Sequence, residues 1–188
     1  MKKRGKIIIF AGPSGVGKET VKKLFINDPR FKLKYSISAT SREKRIGEKN
    51  GDNYHFLTRS KFENWIKKDR FLEWVTFANN YYGTPYKFLE NHLRKGQNVL
   101  LEIDLVGVKK VIKKYPDAVT IFLLPPTIAD LEKRLLARKT ENITEIKKRI
   151  DIARAEIKEK DLFKYQVINK TPENSAQKII EILKKELL

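Results

Sequence analysis

Lys6-Ile7-Ile8-Ile9-Phe10-Ala11, followed by Gly12-Pro13-Ser14-Gly15-Val16-Gly17-Lys18, is the stretch of sequence that decides the fold. After Lys6, its first part is a short apolar run, which is typical of a strand buried on both faces, as in parallel sheets. Its second part fits the pattern G-x-x-x-x-G-K, and residues 20–27 after it are predicted to be helical. In that setting the backbone N–H groups of the loop and the helix N-terminus bind phosphate, and the lysine reaches the β and γ phosphates.

The residue after the loop lysine departs from the usual pattern. A Ser or Thr hydroxyl normally stands there as a Mg²⁺ ligand, whereas this chain has Glu19, followed by Thr20. A carboxylate can bind Mg²⁺ directly or through water, but it repels phosphate if it points into the loop. Alternatively, the helix dipole favours a solvent-facing Glu in the first turn. Both readings of Glu19 stay open, and we assign residues 12–20 to the binding of a nucleoside triphosphate.

The rest of the chain repeats the alternation of strand and helix. Strands are predicted at residues 98–103, 119–124 and 166–168, and helices at 108–114, 128–137 and 175–188. This series predicts an α/β fold with a parallel sheet flanked by helices on both faces. Two stretches interrupt it: residues 35–96 resemble a small β-rich insertion with one or two helices, and residues 138–158 a polar helical excursion.

The composition excludes several classes of protein. The chain has 188 residues, no cysteine and two histidines, so disulfides, thiolate catalysis and cysteine-ligated metals are ruled out. The apolar runs are too short for a membrane span or a signal peptide, which predicts a cytoplasmic protein without a membrane partner. The net charge of +18 suits nucleic acid, yet lysine doublets scattered along the helices are typical of solvated surfaces. We expect anionic small molecules as partners and no specific nucleic acid.

A second group of residues lies in the insertion. Arg42, Arg45, Tyr54 and Tyr82 could grip a phosphate monoester from several sides, because Arg offers a bidentate fork and Tyr donates without added charge. Glu73 could accept two N–H donors from one edge of guanine. Adenine lacks the matching donors, so such a site would reject it.

With these motifs in this order, the sequence resembles the guanylate kinases from Gly5 to about Leu183. The resemblance includes Leu101-Glu102-Ile103-Asp104, the Pro125-Pro126 break and an arginine-bearing lid. It implies a P-loop NTPase-type sheet in one domain, residues 1–188, with a core of residues 1–34, 97–137 and 159–188. Residues 35–96 would then be the GMP-binding insertion, and residues 138–158 the lid.

The resemblance also implies an activity, namely Mg²⁺-assisted in-line transfer of the γ-phosphoryl group of ATP to GMP, and to dGMP, with domain closure. It implies that four residues grip the GMP phosphate: Arg42, Arg45, Tyr54 and Tyr82. It implies that four residues read the guanine: Ser38, Glu73, Thr84 and Asp104. Two residues apart on one strand, Glu102 and Asp104 share a face, and Glu102 would hold Mg²⁺ through water in the GMP site. Lys18, Arg134, Arg138 and Arg149 would be catalytic, and Asn169 would contact adenine.

Two alternatives stay open. Non-catalytic binding modules of this family usually lose the phosphate loop or its lysine and sit beside other domains. This chain keeps Lys18, and we expect no further domain in it. A related kinase acting on another phosphate acceptor is the second alternative, which the guanine-reading residues argue against. The sequence is compatible with a monomer or a homodimer.

Overall fold

The computed structural model describes residues 3–137 and 142–188. The chain forms two compact units. The first comprises Met1–Ile7, Lys34–Leu101 and Val106–Ala118, and the second comprises Ile8–Leu33, Glu102–Leu105 and Val119–Leu188.

The described residues contain nine strands and seven α-helices. The strands are β1 (Ile7–Ala11), β2 (Leu33–Tyr35), β3 (Ala39–Thr40), β4 (His55–Phe56), β5 (Phe71–Phe77), β6 (Asn80–Pro85), β7 (Asn98–Leu101), β8 (Val119–Leu124) and β9 (Tyr165–Ile168). The helices are α1 (Lys18–Lys23), α2 (Arg59–Lys67), α3 (Tyr86–Arg94), α4 (Leu105–Lys114), α5 (Ile128–Ala137), α6 (Ile143–Lys158) and α7 (Pro172–Leu187). Short 3₁₀ helices lie at Pro29–Phe31 and Lys160–Leu162.

A five-stranded sheet carries the phosphate-binding motif, in the strand order β2-β7-β1-β8-β9. Strand β1 pairs with β8 in parallel, with Ile8 beside Val119, and β8 pairs in parallel with β9. Every residue of β1 is buried, which explains why its sequence is apolar throughout rather than alternating. Helix α1 packs against α7, and α5 against α6. The predicted α/β fold with a parallel sheet is therefore confirmed.

A smaller sheet of four strands, in the order β4-β3-β6-β5, lies within residues 35–96. Strands β5 and β6 form an antiparallel hairpin, and β3 pairs with β6 in antiparallel fashion and with β4 in parallel. Its core is aromatic: the ring of Phe62, on α2, stacks on Phe71 at 4.3 Å and on Tyr81 at 5.2 Å between centroids. The hairpin thereby fixes the positions of the side chains on β5 and β6.

One predicted strand ends earlier than its sequence indicates. We predicted a strand over residues 98–103, but β7 ends at Leu101, and the two carboxylates Glu102 and Asp104 follow it. The prediction that they share a strand face was wrong, because the backbone leaves the sheet before reaching them and the period of two no longer applies.

Helix boundaries differ from the predictions where capping residues decide them. Helix α1 begins at Lys18 rather than residue 20, because Gly17 adopts a left-handed conformation (φ 102°) that starts the helix directly after the loop. Helix α7 begins at Pro172 rather than residue 175, since the Thr171 side chain caps it by accepting from the backbone N–H of Asn174. In the described residues no helix combines the length and the apolar character that crossing a membrane requires.

Candidate functional site

The phosphate-binding loop runs from the end of β1 to the start of α1. Lys18 folds back over the loop, and its ammonium donates to the carbonyl oxygens of Gly12 at 2.7 Å and Pro13 at 3.2 Å. Gly12 passes so close to the carbonyl of Leu123 on β8 that a Cβ atom would collide with it. Close packing of the backbone thus fixes the course of the loop, and the Lys18 ammonium is bonded to the carbonyls of its first two residues.

Two predicted residues hold this loop through its backbone. Asn169, 2% exposed, donates from Nδ2 to the carbonyl of Val16 at 2.8 Å and accepts from the Ser175 hydroxyl at 2.9 Å. Arg134, on α5, donates to the carbonyl of Val16 at 3.0 Å and to that of Asn169 at 2.9 Å. Both residues therefore fix the shape of the loop. The sequence missed Ser175, whose only signal was a small polar residue in the first turn of an amphipathic helix.

The arginines predicted for a lid fall partly within the described residues. Helix α6 begins with a capping box in which Asn142 and Glu145 bond to each other's backbone N–H groups. From this helix Arg149 donates to the Ser14 hydroxyl of the loop at 3.1 Å. The predicted catalytic Arg138 lies outside the described residues.

The two carboxylates predicted to contact a metal are joined by a lysine. The Glu19 side chain is 62% exposed and lies 2.6 Å from the ammonium of Lys22, which also lies 3.1 Å from Glu102 Oε2. This position agrees with the solvent-facing reading of Glu19. Among the described residues no group of three or more His, Cys, Asp or Glu side chains could hold a metal ion. The sequence missed Lys22, although its spacing of three residues from Glu19 was a signal for an ion pair on one helix face.

A further acid of the second unit, Glu156 on α6, lies near the charged groups of Lys18 and Asp104. Its Oε2 atom is buried and has no hydrogen-bond partner within the described part of the chain. Burial raises the pKa of the Glu156 carboxyl, the Lys18 ammonium partly offsets that rise, and the nearby Asp104 carboxylate adds to it. The pKa of the Glu156 carboxyl therefore lies above its ordinary value.

In the other unit, a buried carboxylate lies on the hairpin of the small sheet. Glu73, on β5, is 6% exposed, and Thr84, on β6, is 1% exposed. Thr84 Oγ1 donates to Glu73 Oε1 at 2.6 Å. The predicted Ser38 is half-buried beside β3, and its carbonyl accepts from the backbone N–H of His55 at 2.9 Å.

Arginine and tyrosine side chains form a second cluster in this unit. The guanidinium of Arg42 lies 5.6 Å from the Tyr54 ring centroid, and that ring lies 6.0 Å from the ring of Tyr82. Glu48, which the sequence missed, pairs with Arg42 at 2.8 Å and accepts from the backbone N–H of Arg45 at 2.8 Å. These contacts with Arg42, and then with Arg45, lower the pKa of the Glu48 carboxyl. The Arg45 side chain is exposed.

The predicted site residues are therefore found in two groups. Seven lie in the first unit: Ser38, Arg42, Arg45, Tyr54, Glu73, Tyr82 and Thr84. The second unit contains residues 12–20 and five further predicted residues, namely Glu102, Asp104, Arg134, Arg149 and Asn169. Within each group the structure brings most of the predicted residues into contact with one another.

Known proteins resemble this chain over nearly its full length. A family model described as Guanylate kinase matches residues 4–186. The crystal structure of guanylate kinase from Anaplasma phagocytophilum is 28% identical in sequence, with a TM-score of 0.79, and the match covers 100% of this chain and 89% of that one. The SH3-kinase fragment of tight junction protein 3 in apo-form is 11% identical, with a TM-score of 0.50, covering 98% of this chain and 58% of that one. The second likeness concerns the fold alone.

Proposed function

Because this chain belongs to the guanylate kinase family and is an ATP-dependent kinase of GMP, we propose that it transfers the γ-phosphoryl group in line to the GMP phosphate, giving ADP and GDP. The GMP phosphate is an anion and is already nucleophilic, so no general base is required. Catalysis then consists of positioning and of stabilising negative charge in a space closed to water. We propose dGMP as a second phosphate acceptor at the same site.

On the ATP side, Lys18 supplies the main positive charge. Its ammonium donates to the carbonyls of Gly12 and Pro13, and it exchanges these contacts for the β and γ phosphates. Arg149, on α6, is bonded to Ser14 of the loop and so lies beside the same phosphates. Arg134 and Asn169 support the reaction by fixing the loop's backbone.

On the GMP side, Arg42, Tyr54 and Tyr82 form the phosphate grip, and Arg45 joins them from its exposed position. Glu48 orients Arg42 while leaving part of its guanidinium to a ligand, since an Arg fork carries five N–H donors. Glu73 accepts N–H donors from guanine, together with Ser38, Thr84 and Asp104.

Mg²⁺ is proposed to enter with ATP. The oxygen ligands that Mg²⁺ prefers are available from Glu102 through water, and from Glu19 as a second acidic group. Since the described residues hold no group of three ligands, the protein supplies one or two contacts rather than a full cage. Bound Mg²⁺ neutralises phosphate charge.

The observation that carries the proposal is the buried pair of Glu73 and Thr84, because a carboxylate fixed by this hydrogen bond is an acceptor for the N–H donors on one edge of guanine. A coupled assay of ADP release with ATP and Mg²⁺ tests it, with GMP, AMP, CMP and UMP offered in parallel. Turnover with GMP alone is expected. Tight GMP binding without turnover would favour a non-catalytic binding module, and turnover with another nucleotide would favour a kinase for that acceptor.

Charge and location complete the proposal. We propose a cytoplasmic monomer or homodimer that has no specific nucleic-acid or membrane partner. Its charge of +18 predicts retention on heparin at low salt. Elution at moderate salt is expected, whereas retention above physiological salt would contradict this assignment.

A further inference from the structure

Lys22 is a buried lysine whose charge is matched inside the protein. Its side chain is 9% exposed, and its ammonium contacts Glu19 Oε2 at 2.6 Å and Glu102 Oε2 at 3.1 Å. The adjacent Lys23 differs sharply: its side chain is 71% exposed and lies 3.8 Å from Glu19. Burying an ammonium is costly unless it is paired, so the position of Lys22 depends on these carboxylates.

The two carboxylates lie where negative charge is least suitable. Glu19 directly follows Lys18, the residue that contacts the phosphates, and Glu102 is in ion-pair contact with the same ammonium as Glu19. Without a counter-ion, two unit negative charges would oppose a polyphosphate bound at the loop. The Glu102 side chain is 23% exposed, so water screens its charge only in part, and an unpaired charge there changes binding by about an order of magnitude.

We infer that Lys22 is a positioning residue for ATP: its ammonium holds Glu19 and Glu102 and offsets one of their two negative charges, which allows a triphosphate to bind beside two acidic side chains. This inference rests on the proposed use of the loop for ATP and deepens it. It also explains how a carboxylate is tolerated at position 19, where a hydroxyl is usual.

The test is ATP binding without metal, measured by calorimetry in EDTA, so that no Mg²⁺ contact contributes. Lys22→Met is expected to weaken binding at least about 10-fold. Lys23→Met removes the same charge one residue away from an exposed position and is expected to stay within about 3-fold of the native protein. Lys22→Arg, which keeps the charge, is expected to bind close to normally. Equal binding by folded Lys22→Met and Lys23→Met would overturn the inference.

A second pair of variants separates neutralisation from a loss of packing. Adding Glu19→Gln to Lys22→Met removes one of the two carboxylates that lost their shared ammonium, which returns the local net charge to that of the native protein, and is expected to restore most of the lost affinity. In EDTA, where Glu19 has no metal to contact, Glu19→Gln alone is expected to raise affinity by less than about 3-fold, because the Lys22 ammonium already offsets part of the Glu19 charge. This single variant keeps Lys22, so it tests the inference even if Lys22→Met does not fold. A 10-fold gain in affinity from Glu19→Gln alone would overturn the inference.

The same variants titrated with inorganic tripolyphosphate keep this test apart from the proposed function. Tripolyphosphate carries no nucleobase, so the expected order of affinities among the variants does not depend on which nucleotide the protein uses. If the native protein fails to phosphorylate GMP while the order holds, the proposed function fails alone. If GMP is phosphorylated and the order is absent, the inference about Lys22 fails alone.

Discussion

Thr84 donates a hydrogen bond to Glu73 across the β5–β6 hairpin, with 2.6 Å between Oγ1 and Oε1. The bond fixes one carboxylate oxygen of Glu73 at a buried position, where water does not compete for it. A carboxylate oriented in this way is a strict acceptor, because an ionised carboxyl has no hydrogen to donate. We propose that this pair recognises guanine, and exchanging one carboxylate oxygen for an amide nitrogen tests that role.

Replacing Glu73 with Gln is expected to reduce discrimination between GMP and AMP. The amide presents one acceptor and two hydrogens where guanine offers donors, so the ratio of kcat/KM for GMP to that for AMP is expected to fall at least about 100-fold. Glu63→Gln, a change at a half-buried residue on α2 of the same unit, serves as the control and is expected to keep the ratio. An unchanged ratio for Glu73→Gln would remove this residue from guanine recognition.

Lys18→Ala is expected to lower kcat at least about 100-fold, which is the size of effect seen when a charge stabiliser is lost. Coupled turnover with saturating ATP and GMP measures it, and circular dichroism checks that the variant is folded. The exposed Lys23→Ala is the matched control, since it removes the same charge from the same helix. Near-normal kcat for Lys18→Ala would contradict the assigned role.

Asn169→Ala is expected to loosen the phosphate loop. The change removes the bond to the Val16 carbonyl, which keeps its bond from Arg134, and leaves the buried Ser175 hydroxyl without its acceptor, so the free energy of unfolding is expected to fall by about 1–3 kcal/mol. The KM for ATP is expected to rise while that for GMP changes little. Urea unfolding and steady-state kinetics give both quantities, with the exposed Asn174→Ala as control. An equal rise in both KM values would argue against a role confined to the loop.

Glu156→Gln is expected to change how stability depends on pH. The pKa of this carboxyl is raised in the folded protein, so the folded state binds the proton more tightly than the unfolded chain does. That contribution is fully present below the ordinary Glu pKa of about 4.3 and is lost as pH rises through the higher folded value. The Tm of the variant is therefore expected to rise relative to that of the native protein as the pH increases from about 4 to about 8, a range that begins near the ordinary Glu pKa.

Thermal unfolding across this range measures the difference in Tm between variant and native protein. Glu132→Gln, an exposed change on α5, controls for loss of one negative charge. If the difference in Tm for Glu156→Gln were the same at both ends of the range, the carboxyl would not be the responsible group.

The sequence predicted the elements whose burial leaves a simple pattern. Strand β8 and helix α5 have the predicted bounds, because an apolar run ended by prolines and an amphipathic stretch are local signals. The loop from Gly12 to Lys18 was equally clear, since its spacing follows from the geometry of phosphate binding.

The remaining features depend on partners that are distant along the chain. The early end of β7 has no local stop signal, and its carboxylate Glu102 pairs with Lys22, 80 residues earlier. Glu48 and Ser175 are ordinary polar residues until the fold brings them to Arg42 and Asn169. Such pairings cannot be read from periodicity, because periodicity describes only which face of an element is buried.

The bonds that hold the loop also bear on the order in which the protein is made. Val16 is anchored by Arg134 and Asn169, which lie 118 and 153 positions further along the chain. A ribosome emits the loop long before it emits either anchor, so a nascent chain carries the motif without the contacts that shape it. The ability to bind ATP therefore arises late in synthesis, once β9 and the start of α7 have emerged. An incomplete chain binds little of the cell's ATP.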